Sequence, residues 1–396
     1  MSCSDMYDLI LFENFQSAYN HKYDLHLIAN LLRSKGLKVA IFNLYGEETE
    51  YNDQIPIIEY HIHHKLPDNS WLHTNNTFLR GYYVIKFLWQ QRLYMNEVIS
   101  YIEDKASAFY CGSYHLLMPS VFFSMKKTCY YWGLRSSRMT AFWYHFKKNP
   151  LLGFRMLYLK KAFLSNPTQM LFVSNEIIKK EFLNLGIDNN RLVIRDERCI
   201  DKIKNIDKIK KALVPTFLII GGLRRQKRIE LSVQAYTSSG LERSRLLVVG
   251  ENKDEQYEKV IMNEIDNNHN VQRVNRRLKY DEFNNYISDA HFTLFADEQG
   301  LSSVTNGTMM ESLINMTPII APDYPPYSYY IKKYGVGLLY NPSSICSYVN
   351  AIVEANALGW SYFYNNICNF LESITFENVA SRLYSQLYDK EISKVV

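Results

Sequence analysis

The sequence predicts an α/β protein made of two doubly wound domains, and three observations carry that expectation. Near the N-terminus, Tyr7 to Phe12 reads as a strand, Asp24 to Lys35 as a helix stopped by Gly36, and Leu37 to Leu44 as a second strand. Far downstream, the apolar run Thr216 to Ile220 opens a similar succession. Between His291 and Asp323 a strand, a polar loop, a helix and a further strand follow one another, the last begun by Thr317-Pro318. A chain of 396 residues exceeds one ordinary core. Two domains are therefore expected, 1–205 and 206–396, joined by the Lys-, Asp- and Ile-rich segment Asp201 to Lys211.

Composition narrows the class. Hydrophobic residues make up 47% and charged residues 21%, which suits a globular chain and excludes disorder. The formal charge of +5 does not by itself demand a nucleic-acid partner. Six cysteines are scattered without short pairs, so neither a zinc site nor a disulfide framework is expected. The N-terminus lacks a basic segment followed by an apolar core, and no run approaches the roughly 18 apolar residues of a membrane span. A cytoplasmic location is the resulting expectation.

In the first domain, Asn14, Ser17, Asn20 and His21 fill a glycine-free loop after the first strand. Ile57 to Ile62 reads as a third strand. His61, His63 and His64 follow it without an acidic or cysteine partner, and no metal is assigned there. Ala108 to Cys111 is a short buried strand, and His115 stands just beyond it, before the helical run Leu116 to Met125. Such a histidine can face a ligand or simply flank the helix. From Lys105 to Gln169 there is no Asp or Glu, while Lys126, Lys127, Arg135, Arg138, Lys147, Lys148, Arg155, Lys160 and Lys161 alternate with Trp132, Trp143, Tyr144, Phe154 and other rings. Basic and aromatic side chains on amphipathic helices suit an anionic membrane surface. They also suit single-stranded nucleic acid, but no nucleic-acid-binding motif accompanies them, and the membrane is preferred. Met170 to Ser174 and Leu192 to Arg195 are the last strands of this domain.

The second domain carries the chemistry. After Thr216 to Ile220 come Gly221-Gly222-Leu223-Arg224-Arg225-Gln226-Lys227-Arg228 and then a helix. Two glycines after a buried strand, followed by cations before a helix, form a phosphate cradle on physical grounds. Leu246 to Gly250 and Val271 to Val274 read as strands, the latter followed by Asn275-Arg276-Arg277, and Tyr280 to Ala290 as a helix. In the central stretch, Asn306-Gly307-Thr308 combines a left-handed-tolerant residue, a bare backbone and a hydroxyl. It is expected to free several N–H groups at a helix start. Glu311, one turn further, can accept hydrogen bonds from a ribose diol. The plainer alternative is that Thr308 only caps the helix and Glu311 is a solvated first-turn acid.

These residues resemble the C-terminal domain of GT-B glycosyltransferases of the family-4-like, nucleotide-sugar-dependent group. That group has a Gly-Arg-Leu-x-x-x-Lys-Gly turn, matched here by Gly221, Leu223 and Lys227, with Gly222 at the arginine position. It also has a Glu-x7-Glu pattern followed by Gly-Thr-Pro-Val-Ile, matched by Glu311-Ser312 and Asn315-Met316-Thr317-Pro318-Ile319-Ile320. Ser303 stands where the first glutamate belongs, unless Glu298 reaches in from the loop. The resemblance is specific over about Thr216 to Pro342 and architectural before it.

It implies a GT-B fold, with two Rossmann-like domains facing across a cleft, the first for acceptor and the second for donor. It implies transfer of a hexose-type sugar from a nucleoside-diphosphate sugar of UDP or GDP type to a hydroxyl, with no metal and no further cofactor. Lys227, Arg224, Arg225 and Gly222, with Asn306, Gly307 and Thr308, would hold the diphosphate. Glu311 would hold the ribose and Arg277 the base, while His115 and Glu298 would face the transferred sugar and acceptor. The expected setting is the cytoplasmic face of a membrane, with a saccharide or lipid-linked saccharide acceptor and no nucleic acid. A non-catalytic sugar-nucleotide or polyanion binder on the same fold, or a single-strand binder, is the alternative.

Overall fold

The computed structural model describes residues 6–13, 19–43, 55–59, scattered positions from 79 to 101, and 105–112, 129–134, 169–173, 175–184, 186–194, 198–203, 205, 209–266, 268–299 and 306–388. They form two compact units, Met1–Glu197 with Val379–Val396, and Arg198–Asn378. The sequence placed the division near residue 205 and kept everything after it in one domain. In the structure the chain's last segment belongs with the first unit. Its physical tie is Gln386, whose Oε1 accepts from the Ile194 amide at 2.8 Å and whose Nε2 donates to the Ile194 carbonyl at 3.2 Å. The glutamine thus completes the open edge of the last strand of that unit.

The first unit holds β1 (Tyr7–Glu13), α1 (Tyr19–Arg33), β2 (Val39–Asn43), β3 (Ile57–Glu59), β4 (Ala106–Gly112), β5 (Cys129–Leu134), β6 (Gln169–Val173), α2 (Glu176–Asn184) and β7 (Leu192–Ile194). Its seven strands run parallel in the order β3-β2-β1-β4-β5-β6-β7. Strands covered on both faces are continuous apolar runs, and Leu9, Ile10 and Leu11 of β1 are fully buried accordingly. Ile28, Leu31 and Leu32 of α1 and Ile178 and Phe182 of α2 supply buried helical stripes. One element departs from expectation. Trp132 was placed among rings on amphipathic helices, yet it lies in β5, paired with Cys111 on β4 and Leu171 on β6. The run CYYWGL is rich in β-formers, and its interior position in a parallel sheet outweighs the basic residues on either side.

The second unit holds β8 (Thr216–Ile220), α3 (Ile229–Ser238), β9 (Arg245–Val249), α4 (Glu255–Ile265), β10 (Val271–Val274), α5 (Tyr280–Asp289), β11 (Phe292–Leu294), α6 (Gly307–Ile314), β12 (Ile319–Pro322), α7 (Tyr327–Tyr334), β13 (Gly337–Tyr340), α8 (Ile345–Leu358) and α9 (Tyr364–Ser373). A helix α10 (Phe376–Tyr388) then leads back into the first unit. The sheet order is β10-β9-β8-β11-β12-β13, all parallel. Alternation along β8 splits its side chains between two faces. Leu218 and Ile220 join Leu247, Val249, Ile287 and Ala290 beneath α5, while Phe217 meets Tyr236 of α3 at 5.6 Å between ring centroids.

The strand order reverses between β8 and β11. The connections leaving their carboxyl ends therefore diverge, which opens a crevice at that edge. Both motifs singled out in the sequence, 221–228 and 297–311, start there.

Candidate functional site

The floor of the crevice is Gly221. Its φ of +112° is open to glycine, and its amide donates to the Val249 carbonyl at 3.1 Å. A Cβ at this position would lie 3.3 Å from Thr308 Oγ1 and 3.4 Å from Lys227 Nζ. The bare backbone thus lets a hydroxyl and an ammonium converge over one point. Gly250 backs it closely, since a side chain there would collide with the Gly221 carbonyl. Gly222 is exposed, and a Cβ on it would meet no protein atom, so the space above it is open.

Lys227 ends a single 3-10 turn, Arg225–Lys227. It is half-buried, and among the described residues its ammonium has neither a hydrogen bond nor an ion pair. Burial pushes the Lys227 ammonium below the usual lysine range, the Asp297 carboxylate opposes that shift, and the Arg224 charge adds to it. With Asp297 near but not paired to it, this buried cation keeps its hydrogen-bond donors for an anion.

The five neighbouring arginines divide. Arg225 is committed to Asp254, with Nε to Oδ2 at 2.7 Å and Nη2 to Oδ1 at 3.3 Å, and lies 5.4 Å from the Tyr257 ring. Arg225, expected among the phosphate ligands, thus forms an exposed ion pair with the Asp254 that caps α4. Arg224 is exposed, and Arg228 is half-buried in the left-handed conformation at φ 47°, ψ 52°. Further along the sheet edge Arg276 is clamped by Glu282 at 2.9 Å through two nitrogens, while Arg277 is exposed and unpaired among the described residues.

At α6 the helix start differs from the sequence expectation. Asn306 is extended at φ −75°, ψ 120°, and its Oδ1 accepts from Thr308 at 2.9 Å and Met309 at 3.3 Å. It is Asn306 that caps, leaving Gly307 as the first-turn amide without an acceptor among the described residues, while the Thr308 hydroxyl faces Gly221. Asn306 is itself held by two buried groups. Its Nδ2 donates to Asp297 Oδ2 at 3.0 Å and to the Tyr327 hydroxyl at 2.8 Å, and Tyr327 donates to Asp297 in turn. Burial pushes the Asp297 carboxyl up, while Tyr327, Lys227 and Asn306 pull it down. Asp297 escaped the sequence reading because a loop acid gives no sign of burial; it is 7% exposed.

Glu311, 6% exposed, is likewise not a solvated acid. Its Oε1 lies 3.4 Å from Arg198 Nη2, and its Oε2 accepts from the Tyr280 hydroxyl at 3.4 Å. Both contacts are long and leave lone pairs for a ligand. Tyr280 is 64% exposed, so a ring stands open between Glu311 and the Arg277 turn. Neither Arg198 nor Tyr280 carried a motif that would have marked it. Glu298 is exposed at the crevice rim, its amide donating to the Gln226 carbonyl at 2.8 Å, which ties the loop after β11 to the Lys227 turn. His115 and the His61, His63 and His64 group lie outside the described residues.

The comparisons with known proteins bear on this half of the chain first. Residues 201–358 match the family model described as glycosyl transferases group 1. No curated protein sequence matches the chain. Among solved structures, a sucrose-phosphate synthase from Thermosynechococcus elongatus superposes with a TM-score of 0.67 at 14% identity, covering 98% of this chain and 100% of that one. WaaG, a glycosyltransferase involved in lipopolysaccharide biosynthesis, gives 0.59 at 13% identity over 94% and 98%. An alpha,alpha-trehalose-phosphate synthase (UDP-forming) from Burkholderia vietnamiensis gives 0.65 at 11% identity over 98% of both chains. At these identities the likeness establishes architecture.

Proposed function

We propose that this chain, which has the GT-B fold and matches group 1 glycosyl transferases over residues 201–358, is a divergent glycosyltransferase that moves a hexose-type sugar from a nucleoside-diphosphate sugar to a hydroxyl. The observation that carries the reading is the unpartnered Lys227 ammonium. It converges with Thr308 Oγ1 over Gly221, at the reversal point of the strand order. A diphosphate leaving group would take the ammonium's free donors, and preorganised cations and N–H groups stabilise the charge that develops on it. Gly307 and the space above Gly222 take part in the same cradle. Glu311 takes the ribose hydroxyls, and Arg277 lies toward the base.

Glu298 and His115 are the candidates to face the transferred sugar and the acceptor, and the acceptor belongs to the first unit. The donor is of UDP or GDP type, and no metal is required, so chelation should leave turnover intact. The names of two structural relatives support a setting in which sugars are built onto surface saccharides or sugar phosphates. A lipid-linked acceptor at an anionic membrane is the version favoured by the acid-free span 105–169. Among the described residues no helix is long and apolar enough to cross a bilayer.

The test is a thermal-shift screen of UDP-, GDP- and ADP-sugars, because a ligand bound only to the folded state raises its stability. The reading fails if none shifts the melting temperature with or without added acceptor. A non-catalytic binder is the competing reading, favoured by Ser303 at the position of the first glutamate. Slow hydrolysis of the bound nucleotide sugar would exclude it.

A further inference from the structure

We propose that Tyr280 is a specificity-determining residue for the nucleoside: its hydroxyl, beside the Glu311 carboxylate, binds one hydroxyl of the sugar diol and so separates ribonucleotides from their deoxy analogues. This deepens the reading of Glu311 as the ribose carboxylate and rests on it.

The two residues meet at the crevice end of a seam between helices. Helices α5 and α6 both follow parallel strands, and Asn315, just past α6, joins them. Its Nδ2 donates to Asn284 Oδ1 at 3.1 Å, and its Oδ1 accepts from the Ser288 hydroxyl at 3.0 Å. Tyr280 stands four residues before Asn284, and Glu311 four before Asn315. One helical turn therefore brings each to the same level, nearer the carboxyl edge of the sheet. There the Tyr280 hydroxyl donates to Glu311 Oε2 at 3.4 Å. The start of α5 is itself fixed, since Glu282 accepts from the Lys279 amide at 3.2 Å and from two Arg276 nitrogens at 2.9 Å.

Tyr280 differs from the seam below it in exposure and in bond length. Asn315 is buried and its contacts are of ordinary length, whereas the Tyr280 ring is 64% exposed. A side chain kept only to pack α5 on α6 would be covered by what it packs against. Its bond to Glu311 is also far longer than the roughly 2.5–2.7 Å of a hydroxyl seated on a carboxylate. The second side-chain partner of Glu311 among the described residues, Arg198, is equally distant at 3.4 Å from Oε1. A buried carboxylate thus has one remote donor at each oxygen and room to accept more.

A vicinal diol completes this arrangement. Its two hydroxyls donate to the two carboxylate oxygens and keep their lone pairs. The Tyr280 O–H then turns from Oε2 to the nearer diol oxygen, while Arg198 stands ready on the Oε1 side. A sugar lacking that hydroxyl offers Tyr280 nothing to donate to and leaves Oε2 without its new donor. The phenol therefore adds to affinity only when the hydroxyl is present.

The experiment measures UDP, 2′-deoxy-UDP and 3′-deoxy-UDP, with the guanosine series in parallel, by titration calorimetry on the full chain and on Tyr280→Phe and Glu311→Gln. Tyr280→Phe keeps the ring and removes one long, exposed bond, so its melting temperature should be unchanged. Wild type should prefer the ribonucleotide over at least one deoxy analogue. Tyr280→Phe should shrink that preference about fivefold, the scale of one hydrogen bond, and bind the disfavoured analogue within about twofold of wild type. An unchanged preference in Tyr280→Phe, with the preference lost in Glu311→Gln, would overturn the role of Tyr280 and leave Glu311 on the ribose. Equal wild-type affinity for the ribonucleotide and both deoxy analogues, or no binding of UDP or GDP, would overturn both.

Discussion

The Nδ2 group of Asn306 donates to the buried carboxylate of Asp297 at 3.0 Å, while its Oδ1 takes the amides of Thr308 and Met309. One side chain therefore joins the loop leaving β11 to the first turn of α6. Asn306→Ala should cost about 1–2 kcal/mol for the lost cap, and more for the donor withdrawn from Asp297. Urea unfolding measures this directly. An unchanged midpoint would mean that the cap bonds are replaced by water at no cost.

Lys227→Ala should weaken UDP or GDP binding by roughly 1.5–3 kcal/mol, the usual worth of a hydrogen bond to a charged group. The pH dependence carries a sharper signature. Burial holds the free ammonium below the ordinary lysine value of 10.5, whereas a bound diphosphate favours the charged form. Affinity should be flat below the depressed pKa and fall as pH rises through it, before an ordinary lysine would titrate. Stability without ligand moves the other way. Between the depressed value and 10.5 the unfolded chain binds more protons, so stability gains with pH in that window. Lys227→Met should abolish both trends. Their persistence in Lys227→Met would assign them to another group.

Glu311→Gln should weaken nucleoside diphosphates and spare inorganic pyrophosphate, because the carboxylate is assigned to the ribose. Arg198→Ala should act in the same direction with a smaller effect, since Arg198 only positions Glu311 at 3.4 Å. Equal losses for UDP and pyrophosphate in Glu311→Gln would reduce the residue to a support of α6.

Legibility in the sequence followed how local the cause of each feature is. The strands β8, β9 and β11 were plain because buried parallel strands are uninterrupted apolar runs, and Gly36 and Thr317-Pro318 mark helix ends by backbone chemistry alone. The turn that brings Lys227 over Gly221 was legible as glycines and cations after a strand. What could not be read was which cation is spent. Arg225 and Arg276 look free in the sequence and are bonded to Asp254 and Glu282, partners set by the fold. Arg198 and Tyr280 reach Glu311 from distant segments and carry no motif. Arg228 stands at the closing glycine of the Gly-Arg-Leu-x-x-x-Lys-Gly pattern, and its backbone keeps the left-handed conformation, φ 47°, that a glycine adopts freely. Trp132 was misplaced because hydrophobic periodicity cannot separate a short interior strand from part of an amphipathic helix.

The acid-free span offers a prediction independent of the donor site. Each cation near an anionic surface contributes on the order of 1 kcal/mol. Replacing Lys147, Lys148, Lys160 and Lys161 with glutamine should release the protein from phosphatidylserine-containing vesicles in a flotation assay and leave nucleotide binding unchanged. Binding that survives high salt, or that is equal on neutral vesicles, would contradict the electrostatic account and favour a soluble acceptor.

Arg273 ties stability to the site from below. Its Nη1 donates to the carbonyls of Val248, Gly250 and Val274 at 3.2, 2.9 and 2.7 Å, and its Nε and Nη2 bind Glu258 at 2.9 and 3.0 Å. The side chain is 6% exposed and Glu258 17%. Arg273→Met would leave the half-buried Glu258 carboxylate with only the Asn252 amide and the ends of β9 and β10 without their donor, at a cost of about 3 kcal/mol. Pairing it with Glu258→Leu should recover part of that loss, since no charge is then left unpaired, although the carbonyls stay without their donor. Gly250 abuts Gly221, since a side chain on it would collide with the Gly221 carbonyl. The double variant, folded but without the Arg273 bond to Gly250, should therefore bind UDP or GDP more weakly than wild type. Wild-type affinity in a double variant of near-wild-type stability would show that Gly221 keeps its place without Arg273.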